Sequence, residues 1–354
     1  MPNAHRTHPV CRTWMKALAV AVIPWLLTFG GHAEAQTTSK TASIAGLEAK
    51  FVDVNALGGT IKTRYYEEGQ GEPILLLHGG GLGGGNVNSA NMWSRNIPGL
   101  SERFRVFAVD KLAAGMTGNP PEDKDYNIQG EVEHIYEFIQ TMNLGQVHVV
   151  GQSRGGALTL WLAVAHPEVV KTAVLIDPAP PVIYEGVSSS TRASMMEPCS
   201  RGDRAWKMRC EMEVLSYAPK IAPTWEDEYY AAGVYMSGLA KWQEGQAKMA
   251  AGAGQPLRSQ WTEARIQLRE RLLAEAVLPM PVLLYHGYND PQDTRERGLA
   301  LYEILAAQHA NVRLLWTNRT GHFHFREYPE QFNHNLMNFI DYWNGQPTGT
   351  TAMP

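Results

Sequence analysis

Six short apolar runs, set apart by stretches of helical periodicity, limit what this chain can become more than any other feature. They are 74–77 (ILLL), 106–109 (VFAV), 147–150 (VHVV), 173–176 (AVLI), 282–285 (VLLY) and 312–316 (VRLLW). Each is nearly continuous in hydrophobicity and rich in β-branched residues or leucine. Strands covered on both faces of a parallel sheet read this way, whereas a half-wet strand alternates. Between them, Val132, Ile135, Tyr136, Ile139 and Met142 recur at helical spacing, and Phe332, Leu336, Phe339, Ile340 and Trp343 form a second stripe. The alternation predicts an α/β fold, a mostly parallel sheet with helices on both faces. Ahead of it, 51–54 (FVDV) and 61–66 (IKTRYY) flank Gly58-Gly59 and predict a hairpin.

The alternation stops over 179–278. That stretch holds Trp206, Trp225, Trp242 and Trp261 with many Met and Tyr, and carries no convincing strand pattern. It reads as a helical cap inserted between two parts of a core, 50–178 and 279–345. Residues 36–49 are expected as a flexible lead-in and 346–354 as a tail. The N-terminus has its own signature. Arg12 and Lys16 precede an apolar run, 17–29, followed by Ala33-Glu34-Ala35. A positive region, a hydrophobic region and an A-x-A site predict a signal peptide over 1–35, with a start at Met1 or Met15 and a periplasmic or secreted product. The run is short for a bilayer and Pro24 interrupts it, so no stable membrane anchor is expected. Export would leave Cys199 and Cys210 in an oxidising compartment, where they can pair. Their Cα separation is not written in the sequence, so a disulfide and two free thiols both stand.

With 354 residues, 44% apolar and 19% charged, the chain has the make-up of a globular protein. Its net charge of −4 and lack of any basic block exclude nucleic acid as a partner.

The chemistry centres on VVGQSRGG, 149–156. Ser153 follows a strand, sits in a tight turn among Gly151, Gly155 and Gly156, and precedes a helix. A nucleophile elbow has this setting, and its crowding demands small neighbours. A serine hydroxyl is a weak nucleophile and needs a base, itself oriented by an acid. His322 stands in a loop beyond the last apolar run, and Asp290 just beyond the run before it. Asp177, at the end of 173–176, competes with Asp290, and His324 competes with His322. The run HGGGLGGG, 78–85, follows the first strand, where glycines let N–H groups approach a substrate oxygen. The N–H groups of Gly80 and Arg154 are the candidate oxyanion donors. That run lacks the Gly-Lys-Ser/Thr ending of a phosphate loop. No histidine, cysteine or carboxylate spacing suggests a metal site, and no cofactor is called for. His78 is expected to hold the glycine loop, and His134 and His148 to pack.

These motifs, in this order, make the chain resemble the α/β-hydrolase-fold serine hydrolases. The glycine loop, Met92-Trp93-Ser94-Arg95-Asn96 and Gly321-His322 before an aromatic make it similar to their meta-cleavage-product hydrolase branch. That branch usually carries tryptophan after the histidine, where Phe323 stands here, and sets a cap arginine on its substrate. The expectation is therefore an exported serine hydrolase cleaving a partly apolar carboxylic ester or lactone through an acyl-enzyme. A carbon–carbon hydrolase of a vinylogous diketone is the alternative reading, and a non-catalytic small-molecule-binding hydrolase fold the rival. Beyond a small molecule, a second copy of the chain, in a homodimer, is the only partner considered.

Overall fold

A computed structural model describes residues 42–44, 46–82, 88–184, 196–217 and 224–345. The expected signal peptide and the tail lie outside the described residues. The hairpin comes first, β1 (Ala49–Ala56) and β2 (Gly59–Glu68), closed by Leu57 and Gly58 at φ 56° and 76°. Positive φ at both central residues matches the turn to the right-handed twist of the strands. Then come β3 (Pro73–Leu77), α1 (Ile97–Ser101), β4 (Arg105–Val109), α2 (Ile128–Thr141), β5 (Val147–Gln152), α3 (Arg154–Ala165) and β6 (Val170–Ile176). Four helices follow with no strand among the described residues: α4 (Arg204–Leu215), α5 (Asp227–Ser237), α6 (Ala240–Ala250) and α7 (Gln255–Ala274). The chain closes with β7 (Val282–Gly287), α8 (Arg295–Ala306), β8 (Val312–Thr317), α9 (His324–Glu327) and α10 (Pro329–Asn344).

The eight strands form one sheet in the order β1-β2-β4-β3-β5-β6-β7-β8. β2 pairs antiparallel with β1 and β4, and every later pairing is parallel. From β3 the chain steps first to β4 on one side, then crosses to β5 on the other. The carboxyl ends of β3 and β5 therefore open a crevice between diverging loops, the place where such sheets bind ligands.

The apolar runs are buried on both faces because two cores sandwich them. Leu75, Val149 and Leu284 meet Ile135, Leu158 and Leu301 on one side. Leu76, Val150 and Leu283 meet Trp93, Phe325 and Phe332 on the other.

The lead-in differs from expectation within its described part. Ala42 and Ile44 are buried, the Ala42 carbonyl accepts from Arg64 (3.0 Å) and Asn91 (3.1 Å), and Ile44 N–H donates to the Tyr66 hydroxyl (3.2 Å). A polar-looking sequence is ordered here because buried side chains need its backbone as partner. The Cys199–Cys210 pair, left open above, is bonded across a Cα separation of 5.4 Å and ties α4 to the turn before it.

One buried ion pair fixes the loop beyond β4. Arg64 Nη1 lies 3.2 Å from both oxygens of Asp110, which also accept N–H bonds from Ala90 and Met116 at 2.7 Å. Both side chains are fully buried, so removal of one leaves an unpaired charge out of water. Arg64→Ala is expected to cost about 3–5 kcal/mol in urea unfolding; a loss below about 1 kcal/mol, the scale of an exposed pair, would show that water reaches the site.

Candidate active site

Ser153 follows β5 at φ 52°, ψ −117°, a conformation that side-chain-bearing residues rarely adopt. The turn holds because its neighbours lack side chains. A Cβ on Gly151 would collide with the carbonyl of Gly155, and one on Gly155 with the carbonyls of Leu77 and His78. Ser153 N–H donates to Ile176 O at 2.8 Å, and Ser153 O accepts from Ala157 (3.1 Å) and Ala179 (2.9 Å). The backbone is thus anchored on both sides while the side chain faces a cavity.

His322 sits in the loop between β8 and α9. Its Nδ1–H donates to Asp290 Oδ2 at 2.6 Å, and Asp290 Oδ1 accepts the N–H of Gln292 at 2.7 Å. His322 N–H donates to Leu215 O at 2.9 Å, and its carbonyl accepts from Gln152 at 3.0 Å. The competing residues have other partners. Asp177 accepts from Gly287 N–H at 2.9 Å, and burial, then repulsion from Asp290 and Asp293, pushes its carboxyl well above the usual range. His324 contacts the Tyr285 carbonyl at 3.1 Å, and burial drives it down to about 3. Of the candidate acids and bases, Asp290 and His322 are thus the pair that the structure joins by a short hydrogen bond beside the cavity. Asp177, Asp290 and His322 do bring ligand atoms within 4.8 Å of one another, a metal-like spacing absent from the sequence pattern. In this arrangement Asp290 spends its oxygens on His322 and Gln292.

The glycine loop borders the same space. Gly80 turns at φ 73°, and a Cβ on Gly79 would press on Ser153 and Gln152. As expected for a loop support, His78 is buried, with Nδ1 2.7 Å from Gly79 O, while Lys111 N–H donates to its Nε2 at 3.1 Å. His134 and His148 also lie in the interior, with Thr63 (2.8 Å) and Thr172 (2.9 Å). Ser153, His322, Gly80 and Arg154 line one cavity of about 250 Å³, together with Asn88, Gln152, Glu211, Gln292, Met212, Leu215 and Phe323. Glu211, Met212 and Leu215 come from α4, so the inserted helices roof the site.

A family model described as the alpha/beta hydrolase fold matches residues 72–209. The chain has the α/β-hydrolase fold. Its architecture is similar to that of a meta-cleavage product hydrolase from Pseudomonas fluorescens IP01, with a TM-score of 0.65 over 82% of this chain and 97% of that one at 24% identity. Within the hydrolase fold, the sequence resembles the meta-cleavage-product branch. It is 39% identical over 133 residues to a 2-hydroxy-6-oxo-6-(2'-aminophenyl)hexa-2,4-dienoic acid hydrolase of Metapseudomonas resinovorans, spanning 37% of this chain and 44% of that protein. It is 35% identical over 120 residues to a 2-hydroxy-6-oxo-2,4-heptadienoate hydrolase of Pseudomonas putida, spanning 34% and 42%. The matches span less than half the length of these curated relatives.

These relatives overturn the reading of the chain as an ester or lactone hydrolase, because their named substrates are oxo-dienoic acids. The missing tryptophan had favoured esters. The structure shows why Phe323 is a weak argument: its ring packs 5.2 Å from His322, so an aromatic wall stands beside that imidazole, and the ring is backed edge-on by Trp225 at 4.8 Å.

Two residues escaped the sequence reading. Gln292 places its amide 3.2 Å from His322 Nε2, the ring nitrogen turned away from Asp290; its position two residues past Asp290 is the only signal in the sequence. Glu327 is invisible there. It accepts N–H bonds from Gly321 (3.0 Å) and Tyr217 (3.1 Å), joining the histidine loop to the end of α4, and burial pushes its carboxyl up to about 7. A carboxyl whose folded pKa is raised contributes stability below its unfolded value and loses it as pH rises through the folded one. Between about pH 5 and 8, the melting temperature is expected to fall more steeply for the wild type than for Glu327→Gln. Parallel melting curves would show that the carboxyl ionises as freely folded as unfolded.

Proposed function

We propose that the chain hydrolyses a carbon–carbon bond in a 2-hydroxy-6-oxo-2,4-dienoate-class substrate, with Ser153 as nucleophile, His322 as base and then acid, and Asp290 as orienting acid. The observation that carries the reaction type is the His322–Asp290 contact of 2.6 Å beside the cavity that Ser153 also lines. The named activities of the relatives support the choice of substrate.

With Nδ1–H held by Asp290, the lone pair of His322 lies on Nε2. Release of that nitrogen by the Gln292 amide lets it take the Ser153 proton as Oγ bonds to the C6 carbonyl carbon. The N–H groups of Gly80 and Arg154 receive the developing oxyanion. For the cleavage to proceed the dienol must first ketonise, its 2-hydroxyl proton moving to C5; collapse then breaks the C5–C6 bond, and the electron pair left on C5 delocalises through C3=C4 onto the C2 oxygen, which takes the proton from His322. Water, activated by the same imidazole, then releases the acyl group as a carboxylic acid. One water is consumed, and the second product is a 2-hydroxypenta-2,4-dienoate.

The test is to follow loss of the dienolate chromophore of 2-hydroxy-6-oxohepta-2,4-dienoate and to identify acetate and the pentadienoate. Ser153→Ala is expected to lower kcat by about 10³-fold or more. Full turnover by that variant, or no cleavage by the wild type, sinks the reading. Labelling of Ser153 by a fluorophosphonate separates an enzyme from a binding protein that keeps the fold.

Location is a separate proposal, a periplasmic or secreted site, supported by the Cys199–Cys210 bond, since such bonds persist in oxidising compartments. Cell fractionation should find the protein outside the cytoplasm with Gln36 as its first residue; an intact Met1 or Met15 in the cytoplasm overturns it.

A further inference from the structure

The two oxyanion donors proposed above belong to separate segments, the loop after β3 and the first turn of α3. They serve a developing charge only if their mutual position is fixed before it appears. Gly80 has no side chain to anchor it and turns in the left-handed region. Its orientation is therefore set by the two peptide planes that flank it, each of which is rigid and trans.

Both planes are held by one residue. Lys111 N–H donates to His78 Nε2 at 3.1 Å, and His78 Nδ1–H donates to Gly79 O at 2.7 Å. Burial pushes His78 down to about 3, so the ring is neutral, with one fixed donor and one fixed acceptor. In a trans peptide, fixing the Gly79 carbonyl fixes the opposite direction of Gly80 N–H. The Lys111 ammonium, meanwhile, donates to Gly80 O at 2.8 Å, which pins the next plane. The same ammonium lies 3.1 Å from Glu131 Oε1, and Glu131 Oε2 lies 3.2 Å from Arg154 Nη2.

We infer that Lys111 is a positioning residue of the oxyanion hole: linked through Glu131 to Arg154, it ties the Gly80 loop to the residue that carries the second donor. The inference rests on the proposed function. Lys111 and Glu131 are buried, and a buried ion pair is a poor way to gain stability when an apolar side chain fills the same space. What methionine cannot do is hold the Gly80 carbonyl.

Lys111→Met leaves Glu131 paired with Arg154 and is expected to fold. Its kcat on the dienoate should fall about 10- to 100-fold, the scale of a misplaced donor, with KM changed less than about threefold. Its affinity for an alkylboronic acid, a mimic of the tetrahedral adduct, should fall by the same factor as kcat/KM. A residue needed only for folding would not link those two numbers. Lys111→Arg keeps a cation opposite Glu131 and should fall between wild type and Lys111→Met on both readouts. If Lys111→Met melts below the assay temperature, Lys111→Arg against wild type is the deciding pair. Unchanged kcat and boronate affinity in a folded variant, or a loss confined to KM, overturns the inference. A wild type that neither cleaves the dienoate nor binds the boronic acid strikes the proposed function instead.

Discussion

Everything at this site depends on Ser153 being held at φ 52°. A non-glycine residue in so sparsely populated a conformation costs of order 1–3 kcal/mol and persists only where its surroundings over-determine it. Here the surroundings are hydrogen bonds that fix the serine backbone from β6 and the segment after it, and glycines that let the carbonyls of Leu77, His78 and Gly155 crowd the turn. Relaxing the strain would turn the side chain away from the crevice between β3 and β5. The parallel sheet supplies that crevice, so the six apolar runs and the strained serine are parts of one constraint.

The second requirement is control of charge in a dry interior. Asp177, Asp290 and Asp293 are all buried near His322, yet only Asp290 accepts from its ring. Burial first, and then Asp290 nearby, pushes Asp177 and Asp293 upward; burial pushes His286 down to about 4. Groups kept neutral this way avoid the cost of a desolvated charge. They surround Asp290 without competing for the imidazole. Toward the oxyanion side the solution is the opposite one. Lys111, Glu131 and Arg154 meet as ions, because a lone carbonyl such as that of Gly80 is held more firmly by a charged donor than by a neutral one.

Much of this was legible before any coordinates. Buried parallel strands have a distinctive composition, and the elbow, the glycine loop and the loops bearing Asp290 and His322 occupy fixed positions at strand ends, so local sequence reports them. The α/β-hydrolase fold follows from those features. Gln292, Glu131, Lys111 and Glu327 were not legible. Each acts through a partner 20 or more residues away, as with Lys111 and Glu131 or Gln292 and His322, and nothing in a local pattern encodes that meeting. The burial of Ala42 and Ile44 was hidden for the same reason. Ala42 is ordered by Arg64 and Asn91, and a window of residues 36–49 contains neither. The ester reading failed differently: it rested on departures from the branch pattern, the missing tryptophan and the cap arginine among them, whereas Phe323 keeps an aromatic ring on the cavity wall.

The inserted helices are more than a roof. Leu215, at the end of α4, accepts the N–H of His322, and a Cβ on Gly321 would collide with the backbone of residues 215–217. Glu327 bonds Tyr217 and Gly321 together, while the Cys199–Cys210 bond secures the other part of α4. The helix that presents Glu211, Met212 and Leu215 to the cavity is thus joined through its backbone to the loop that carries His322. On the proposed function, a ligand that pushed α4 aside would move His322 relative to Ser153, so a poor fit against the roof would be felt as a misplaced base. On the proposed function, recognition by the cap and proton transfer by the core would draw on one set of hydrogen bonds, and selectivity would be expressed in kcat as well as in binding.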